Sequence, residues 1–259
     1  MITSFEQNNK NSSGVVIITG GSRGIGAQTA RLFASHGYAV CINYKSQAEP
    51  ANLLVNEIKE AGGQCISVQA DVSTELGVMR LYESVASQLG SVTILVNNAG
   101  ILKPQMRLED MTAERINEVL LNNITSYFLC AREAVKVMST KHGGQGGTIV
   151  NVSSGAARTG SPNEYVDYAA SKGAIDTLTK GLSLEVASEG IRVNGVRPGL
   201  IYTEMHSDGG EVGRVDRLKG IIPLQRGGQA SEVAEAIYWL ASNKSSFTSG
   251  SYIDVTGGL

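Results

Sequence analysis

Val15-Val16-Ile17-Ile18-Thr19-Gly20-Gly21-Ser22-Arg23-Gly24-Ile25-Gly26 joins a short apolar run to a glycine-rich turn, and a helical pattern follows. An unbroken apolar run suits a strand covered by helices on both faces. Glycines directly after such a strand permit a sharp turn and a close backbone approach. The start of the next helix adds free amide N–H groups and the positive end of its dipole. A tight turn alone would explain the glycines. At the head of an alternating chain they point instead to a dinucleotide pyrophosphate site, with spacing Gly-x3-Gly-x-Gly in place of Gly-x-Gly-x-x-Gly.

The alternation runs almost from end to end. Strands are expected at 15–19, 39–43, 64–69, 93–96, 148–152, 192–196 and 251–254, and helices at 24–36, 47–61, 74–89, 113–142, 165–188 and 231–241. Repeated strand–helix–strand order implies right-handed crossovers and an α/β fold: one doubly wound, parallel, seven-stranded sheet with helices on both faces, a Rossmann fold. No Pro/Ser linker or fixed-period repeat divides the chain, so 14–259 reads as one domain. Residues 1–13 are polar, without an apolar leader core, and read as a loose tail. Segment 202–223 breaks the pattern with Gly209, Gly210, Gly213 and Gly220 among scattered charges; it is either a lid over a site or a surface excursion.

Composition narrows the function classes. Of 259 residues 42% are hydrophobic and 18% charged, and the net charge is -2, which provides no basic field for nucleic acid or an anionic membrane. No apolar run approaches a membrane span. Cys41, Cys65 and Cys130 lack the spacing of a zinc site or a disulfide framework, so no metal is expected and a reducing cytoplasm fits.

Two features carry chemistry. In Tyr168-Ala169-Ala170-Ser171-Lys172 the i to i+4 spacing puts a phenol and an ammonium on one helical face. A free phenol titrates near ~10, and a neighbouring cation draws it toward the working range for proton transfer. Tyr165 has no such partner, since Ala169 stands four residues on. The second feature is the end of the second strand, where an acidic residue would receive a ribose 2′-hydroxyl. This chain has Tyr44 and Lys45 there, and Arg23 lies in the glycine turn. Two cations attract a 2′-phosphate, so NADP(H) is expected, with NAD(H) the alternative.

Together, Thr19 to Gly26, Asn97-Asn98-Ala99-Gly100, Ser153-Ser154, Tyr168-x3-Lys172 and Pro198-Gly199 stand in the order and spacing of the short-chain dehydrogenase/reductase family, which the chain resembles from about Gly14 to Leu259. Within it the likeness is to bacterial glucose dehydrogenase-like and 3-oxoacyl-[acyl-carrier-protein] reductase-like oxidoreductases. The resemblance implies an enzyme that transfers hydride between nicotinamide and a carbonyl or secondary alcohol. It implies that Tyr168 is the acid/base and that Lys172 lowers its pKa and holds the nicotinamide ribose. Ser154, favoured over Ser153, would orient the substrate oxygen, and Asn123, favoured over Asn122, would hold a relay water.

The cofactor contacts implied are Gly20, Ser22, Arg23, Gly24, Ile25 and Gly26 at the phosphates, Tyr44, Lys45, Asp71 and Val72 at the adenosine, and Asn98, Ala99 and Gly100 at the ribose. Pro198, Gly199, Ile201 and Thr203 would frame the nicotinamide, while Asn97 would tie neighbouring strands. Resemblance also implies a homotetramer, with 113–142 and 251–259 between subunits.

One departure stands out. Ser154 and Tyr168 are fourteen positions apart, one more than in many members, with Ser161-Pro162-Asn163-Glu164-Tyr165 between them. Glu164 and Tyr165 either contact a hydroxylated substrate or open the helix carrying Tyr168, the second being preferred. A sugar, a ketoacyl thioester or a xenobiotic ketone all fit as substrate. The rival readings are an NADP(H)-binding redox sensor or scaffold without catalysis, and an epimerase or dehydratase on the same fold. The working order of Ser, Tyr and Lys opposes the first. The lack of a long substrate portion opposes the second.

Overall fold

Successive residues of the strand Val15–Ile18 (β1) are all buried, yet they serve two different cores. Val15 and Ile17 face a cluster with Leu81, Val85, Ala134 and Met138, whereas Val16 and Ile18 face Ala30, Phe33, Leu54 and Ile237. This is the two-sided burial that a continuously apolar strand requires. The computed structural model describes residues 13–259, so all of the expected tail except Ser13 lies outside the described residues.

After β1 come α1 (Gly24–Ser35), β2 (Ala39–Tyr44), α2 (Ala48–Glu60), β3 (Cys65–Gln69), α3 (Glu75–Gln88), β4 (Val92–Asn97), α4 (Ala113–Leu120) and α5 (Ser126–Met138). The chain continues through β5 (Gly147–Val152), α6 (Ala156–Thr159), α7 (Val166–Val186), β6 (Ile191–Pro198), β7 (Ile201–Tyr202), α8 (Met205–Asp208), α9 (Arg214–Leu218), β8 (Gly228–Gln229), α10 (Ala230–Ala241) and β9 (Tyr252–Val255). Seven strands form one parallel sheet in the order β3-β2-β1-β4-β5-β6-β9. Helices α1, α2 and α10 cover one face, and α3 and α5 supply much of the other. The order reverses between β1 and β4, where open α/β sheets carry their ligand crevice at the strands' C-terminal ends.

All seven expected strands are present, shifted at their ends by at most two residues. The helix expected over 113–142 keeps helical backbone from Ala113 to Met138, ending four residues before His142, with an irregularity inside it. A five-residue π turn, Leu121–Thr125, separates α4 from α5, and a short turn from Thr140 to His142 follows. Ser126 Oγ donates to the Asn122 carbonyl at 2.5 Å, and the Asn123 side chain is drawn off to Ile101. A π turn adds a residue without any compositional mark, so an apolar periodicity reads straight through it.

Candidate active site

The glycine turn is sewn to β4 by hydrogen bonds. Asn98 Nδ2 donates to the carbonyls of Thr19 (2.9 Å) and Gly20 (3.0 Å), while Thr19 Oγ1 accepts from the amides of Asn98 (2.9 Å) and Ala99 (3.0 Å). A Cβ on Gly26 would lie 2.5 Å from Gly20 O and 2.7 Å from Asn98 Nδ2, so glycine alone fits there. Gly20 has φ +60, in the left-handed region. Arg23, ahead of α1, is extended and forms no side-chain cap, which leaves the first amides of the helix as donors for an anion. A backbone pinched this closely around a helix N-terminus fits a dinucleotide pyrophosphate.

A cleft opens beside this turn. Its walls include Gly20, Ser22, Arg23, Gly24, Ile25, Tyr44, Lys45, Asp71, Val72, Asn98, Ala99, Gly100 and Thr203, the expected cofactor residues from five separate parts of the chain. Asn43, Asn122, Ser126, Glu204 and Met205 line it as well, without having been expected. Gly26 is packed beneath the turn. Pro198, Gly199 and Ile201 are not among its lining residues. The Pro198 carbonyl accepts from Gly155 N at 2.9 Å, Gly199 N donates to Val255 O at 2.9 Å, and Ile201 is buried.

Both expected 2′-phosphate cations face the cleft paired with a carboxylate. Lys45 Nζ lies 2.9 Å from Asp71 Oδ2, and Arg23 pairs with Asp208 of α8. Burial pushes the Asp71 carboxyl up, but hydrogen bonds from Ser73 and Lys45 outweigh it and leave the group below its ordinary value. Both ion pairs are solvent-exposed, so they stabilise by only about 0–1 kcal/mol and can yield to a phosphate.

Asn123, Ser154, Tyr168 and Lys172 are not among the lining residues either; Asn123 and Lys172 approach the cleft behind Gly100. A Cβ on Gly100 would stand 3.7 Å from Lys172 Nζ and 3.4 Å from Asn123 Oδ1, which sets both against the cleft wall. Asn123 is fully buried; its amide pairs with both the N–H and the carbonyl of Ile101 (2.8 and 3.0 Å) and donates to Ser171 Oγ at 3.2 Å. Asn122 Nδ2 instead donates to Glu118 O within its own helix. Ser153 and Ser154 diverge. Ser153 Oγ donates to Asp176 Oδ1 at 2.6 Å and to Lys172 O at 3.2 Å, behind the site, while the Ser154 hydroxyl faces Tyr168.

Lys172 is buried, and its Nζ stands 5.7 Å from the centroid of the half-buried Tyr168 ring. It donates to Val152 O at 2.8 Å and to Tyr127 Oη at 3.1 Å. Burial pushes the Lys172 ammonium down to about 7, against the opposing pull of Asp176. Burial also raises the Tyr168 phenol, with the facing Ser154 hydroxyl opposing it. The expected lowering of the phenol by the ammonium is therefore not seen in the protein alone. Both groups lose hydration, and the ammonium spends its hydrogen bonds on Tyr127 and Val152. Tyr127 carried no sequence signal, being one more aromatic residue on an apolar helix.

Segment 161–165 opens α7, as preferred. Ser161 and Asn163 adopt left-handed φ (42 and 63), and Tyr165 is the buried residue just ahead of the helix. Glu164 is also held from outside, by Arg214 of α9. Segment 202–223 is accordingly folded and tied down: Glu211 takes Arg217 (2.5 Å), Arg214 (3.3 Å) and Gln105 (2.6 Å). Among the described residues no helix is long and apolar enough to cross a membrane, and no cluster of side chains could hold a metal ion.

Residues 20–259 match a family model described as enoyl-(acyl carrier protein) reductase. The chain is 60% identical over 244 residues to the oxidoreductase YgfF of Escherichia coli K12, covering 94% of this chain and 99% of that one. It is 35% identical to the 3-oxoacyl-[acyl-carrier-protein] reductase FabG of Staphylococcus aureus, covering 94% and 96%. Similar solved structures include a short-chain type dehydrogenase/reductase of Mycobacterium marinum (TM-score 0.89, 32% identity, 95% of each chain). Another is the 3-ketoacyl-(acyl-carrier-protein) reductase of Brucella melitensis complexed with NADH (TM-score 0.88, 31% identity, 95% of this chain and 98% of that one).

Proposed function

The chain is an oxidoreductase belonging to the short-chain dehydrogenase/reductase family, and on that premise we propose that it interconverts a carbonyl compound and its secondary alcohol with NADP(H), Tyr168 exchanging the proton. The observation that carries this reading is the meeting of Ser154, Tyr168 and Lys172 beside a cleft walled by a glycine turn.

The nicotinamide cofactor, when bound, supplies or accepts the hydride. The chain holds, orients and handles the proton. The turn from Gly20 to Gly26 and the first amides of α1 bind the pyrophosphate. Ser154 Oγ donates to the substrate oxygen, and Tyr168 Oη gives that oxygen a proton in reduction or removes one in oxidation. Lys172 holds the ribose hydroxyls and keeps a positive charge near Tyr168. Asn123 shapes the π turn at the relay. Pro198, Gly199, Ile201 and Thr203 frame the nicotinamide, and segment 202–223 covers the substrate.

NADP(H) is supported by the absence of an acidic residue at the end of β2 and by Arg23 and Lys45 on the cleft wall. NAD(H) is the second reading, favoured by the carboxylates already paired with both cations and by the NADH complex of the Brucella relative. We further read 14–259 as one domain and the protein as a cytoplasmic homotetramer. The exposed Leu121, Phe128 and Val137 of 113–142 and Leu259 support buried subunit contacts there.

The test is oxidation of NADPH and of NADH by the purified protein over a panel of β-ketoesters (ethyl acetoacetate among them), steroid ketones and aldehydes, and the reverse reaction on aldoses. NADPH-dependent turnover that disappears in Tyr168→Phe, with NADPH binding retained, is the expected result. Turnover retained by Tyr168→Phe, or none with any panel member, overturns the reading.

A further inference from the structure

Lys172 lies between two phenols. Its Nζ is 5.0 Å from the Tyr127 ring centroid and 5.7 Å from that of Tyr168. Tyr127, in the first turn of α5, is fully buried. Its hydroxyl donates to Val152 O at 2.9 Å and stands 3.1 Å from Lys172 Nζ, which itself donates to the same carbonyl at 2.8 Å. Ammonium, phenol and carbonyl thus close a ring of three hydrogen bonds at the end of β5, two residues before Ser154. An ammonium carries three protons. Two are committed inside this ring, and one remains for the cleft.

We propose that Tyr127 is a positioning residue for the reaction, its hydroxyl fixing the Lys172 ammonium against the end of β5 so that a single N–H is presented to cofactor and substrate. The proposal rests on Tyr168 and Lys172 being the proton-transfer pair.

The chemistry separates the two phenols. Burial, then the neighbouring Tyr168, hold the Tyr127 phenol well above its ordinary value, so it stays neutral and accepts a hydrogen bond from the ammonium. Tyr168 is half-buried, and burial raises its phenol too. It faces the Ser154 hydroxyl, however, and is not hydrogen-bonded to Lys172, which leaves it as the phenol on the substrate side. Of the other groups around Lys172, Asp176 is the one carboxylate acting on it, and that carboxylate is already held by Ser153 and by Arg197 of β6. Asn123 is saturated by Ile101 and Ser171. The Tyr127 hydroxyl is therefore the side-chain acceptor that meets the ammonium directly.

The fold contains its own control. Tyr82 is a second buried phenol, and its hydroxyl donates to Cys130 O at 2.8 Å without touching Lys172. Tyr127→Phe and Tyr82→Phe each delete one buried hydroxyl and keep the ring. Both are compared with wild type for NADPH-dependent turnover of the panel member reduced fastest, from mildly acidic to alkaline pH, and for NADPH affinity by fluorescence titration.

Loss of a hydrogen bond to a charged group is expected to lower kcat about tenfold in Tyr127→Phe. The missing acceptor disfavours the protonated amine, so the pH above which kcat falls moves down. Tyr82→Phe leaves kcat and its pH profile unchanged. Tyr127→Phe within twofold of Tyr82→Phe, with an unmoved profile, overturns the proposal while leaving the Tyr168 assignment standing. Turnover retained by Tyr168→Phe overturns the assignment and this proposal with it.

Discussion

Glu164 receives both terminal nitrogens of Arg214, Oε2 from Nη2 at 2.5 Å and Oε1 from Nη1 at 3.0 Å, across fifty residues of chain. One end of this pair lies just ahead of α7, which carries Tyr168, and the other lies in the segment proposed to cover substrate. Arg214 also stands over the Tyr165 ring, 5.0 Å from its centroid, and is itself buried. Removing the Glu164 charge leaves a buried guanidinium with Glu211 as its remaining carboxylate partner, a costly state. Glu164→Gln is expected to raise KM for the carbonyl substrate about tenfold, by some 1.4 kcal/mol of lost ordering, with a smaller change in kcat. Proteolysis should cut 202–223 faster in the variant, and unchanged KM and cleavage would show the pair to be incidental.

The two adjacent serines separate chemistry from scaffolding. Ser154→Ala removes a donor aimed at developing charge and should lower kcat by about 10²-fold with little change in melting temperature. Ser153→Ala removes the hydroxyl that binds Asp176 and the Lys172 carbonyl, so it should lower stability by about 1–3 kcal/mol as a buried acceptor loses its partner. Steady-state kinetics and urea unfolding on both variants check the pair, and a reversed pattern contradicts the assignment.

Lys172 gives a pH dependence whose sign can be worked out. Its folded value, pushed down to about 7, lies below the unfolded value near ~10.4. Between these values the unfolded chain binds the extra proton, so stability rises with pH at up to ~1.4 kcal/mol per unit. The cost of burying the charge is fully present below about pH 7 and is gone above the unfolded value. Lys172→Met should remove this slope, so that the variant gains on wild type at neutral pH and loses that advantage in alkali. Urea midpoints of both proteins across that range test it; parallel curves would mean that Lys172 titrates normally.

Subunit contacts are tested at Phe128, half-exposed on α5. Phe128→Glu places a charge where an apolar contact is proposed, and light scattering should then report dissociation of the tetramer. A monomeric wild type would refute the assembly outright.

The strands were legible because their burial is local and continuous. Val15 to Ile18 or Ala39 to Cys41 need nothing but their own apolar character to be placed under two layers of helices. The glycine turn was legible because its spacing is a backbone requirement, as the collision awaiting a Cβ on Gly26 makes plain. What stayed hidden depends on partners distant in sequence. The π turn answers to Ile101, Glu164 to Arg214, and Lys172 to Tyr127 and Val152. Even the sign of the shift at Tyr168 turns on desolvation, which no spacing encodes.

Cofactor choice tests how far two exposed ion pairs can mask a phosphate site. Arg23 and Lys45 face the cleft but are paired with Asp208 and Asp71. Exposed pairs of this kind contribute at most ~1 kcal/mol, whereas a charge-assisted hydrogen bond to phosphate contributes about 1.5–3 kcal/mol. The phosphate should therefore win both cations. Arg23→Ala and Lys45→Ala should each weaken NADPH binding by about 10- to 100-fold while changing NADH binding little, because NADH offers no charge at that position. Added salt should weaken NADPH more than NADH in the wild type and should lose much of that difference in the double variant. Fluorescence titration of both cofactors decides the matter. Equal losses for NADPH and NADH would assign the two cations to the pyrophosphate or to the fold, and the preference for NADP(H) would fall.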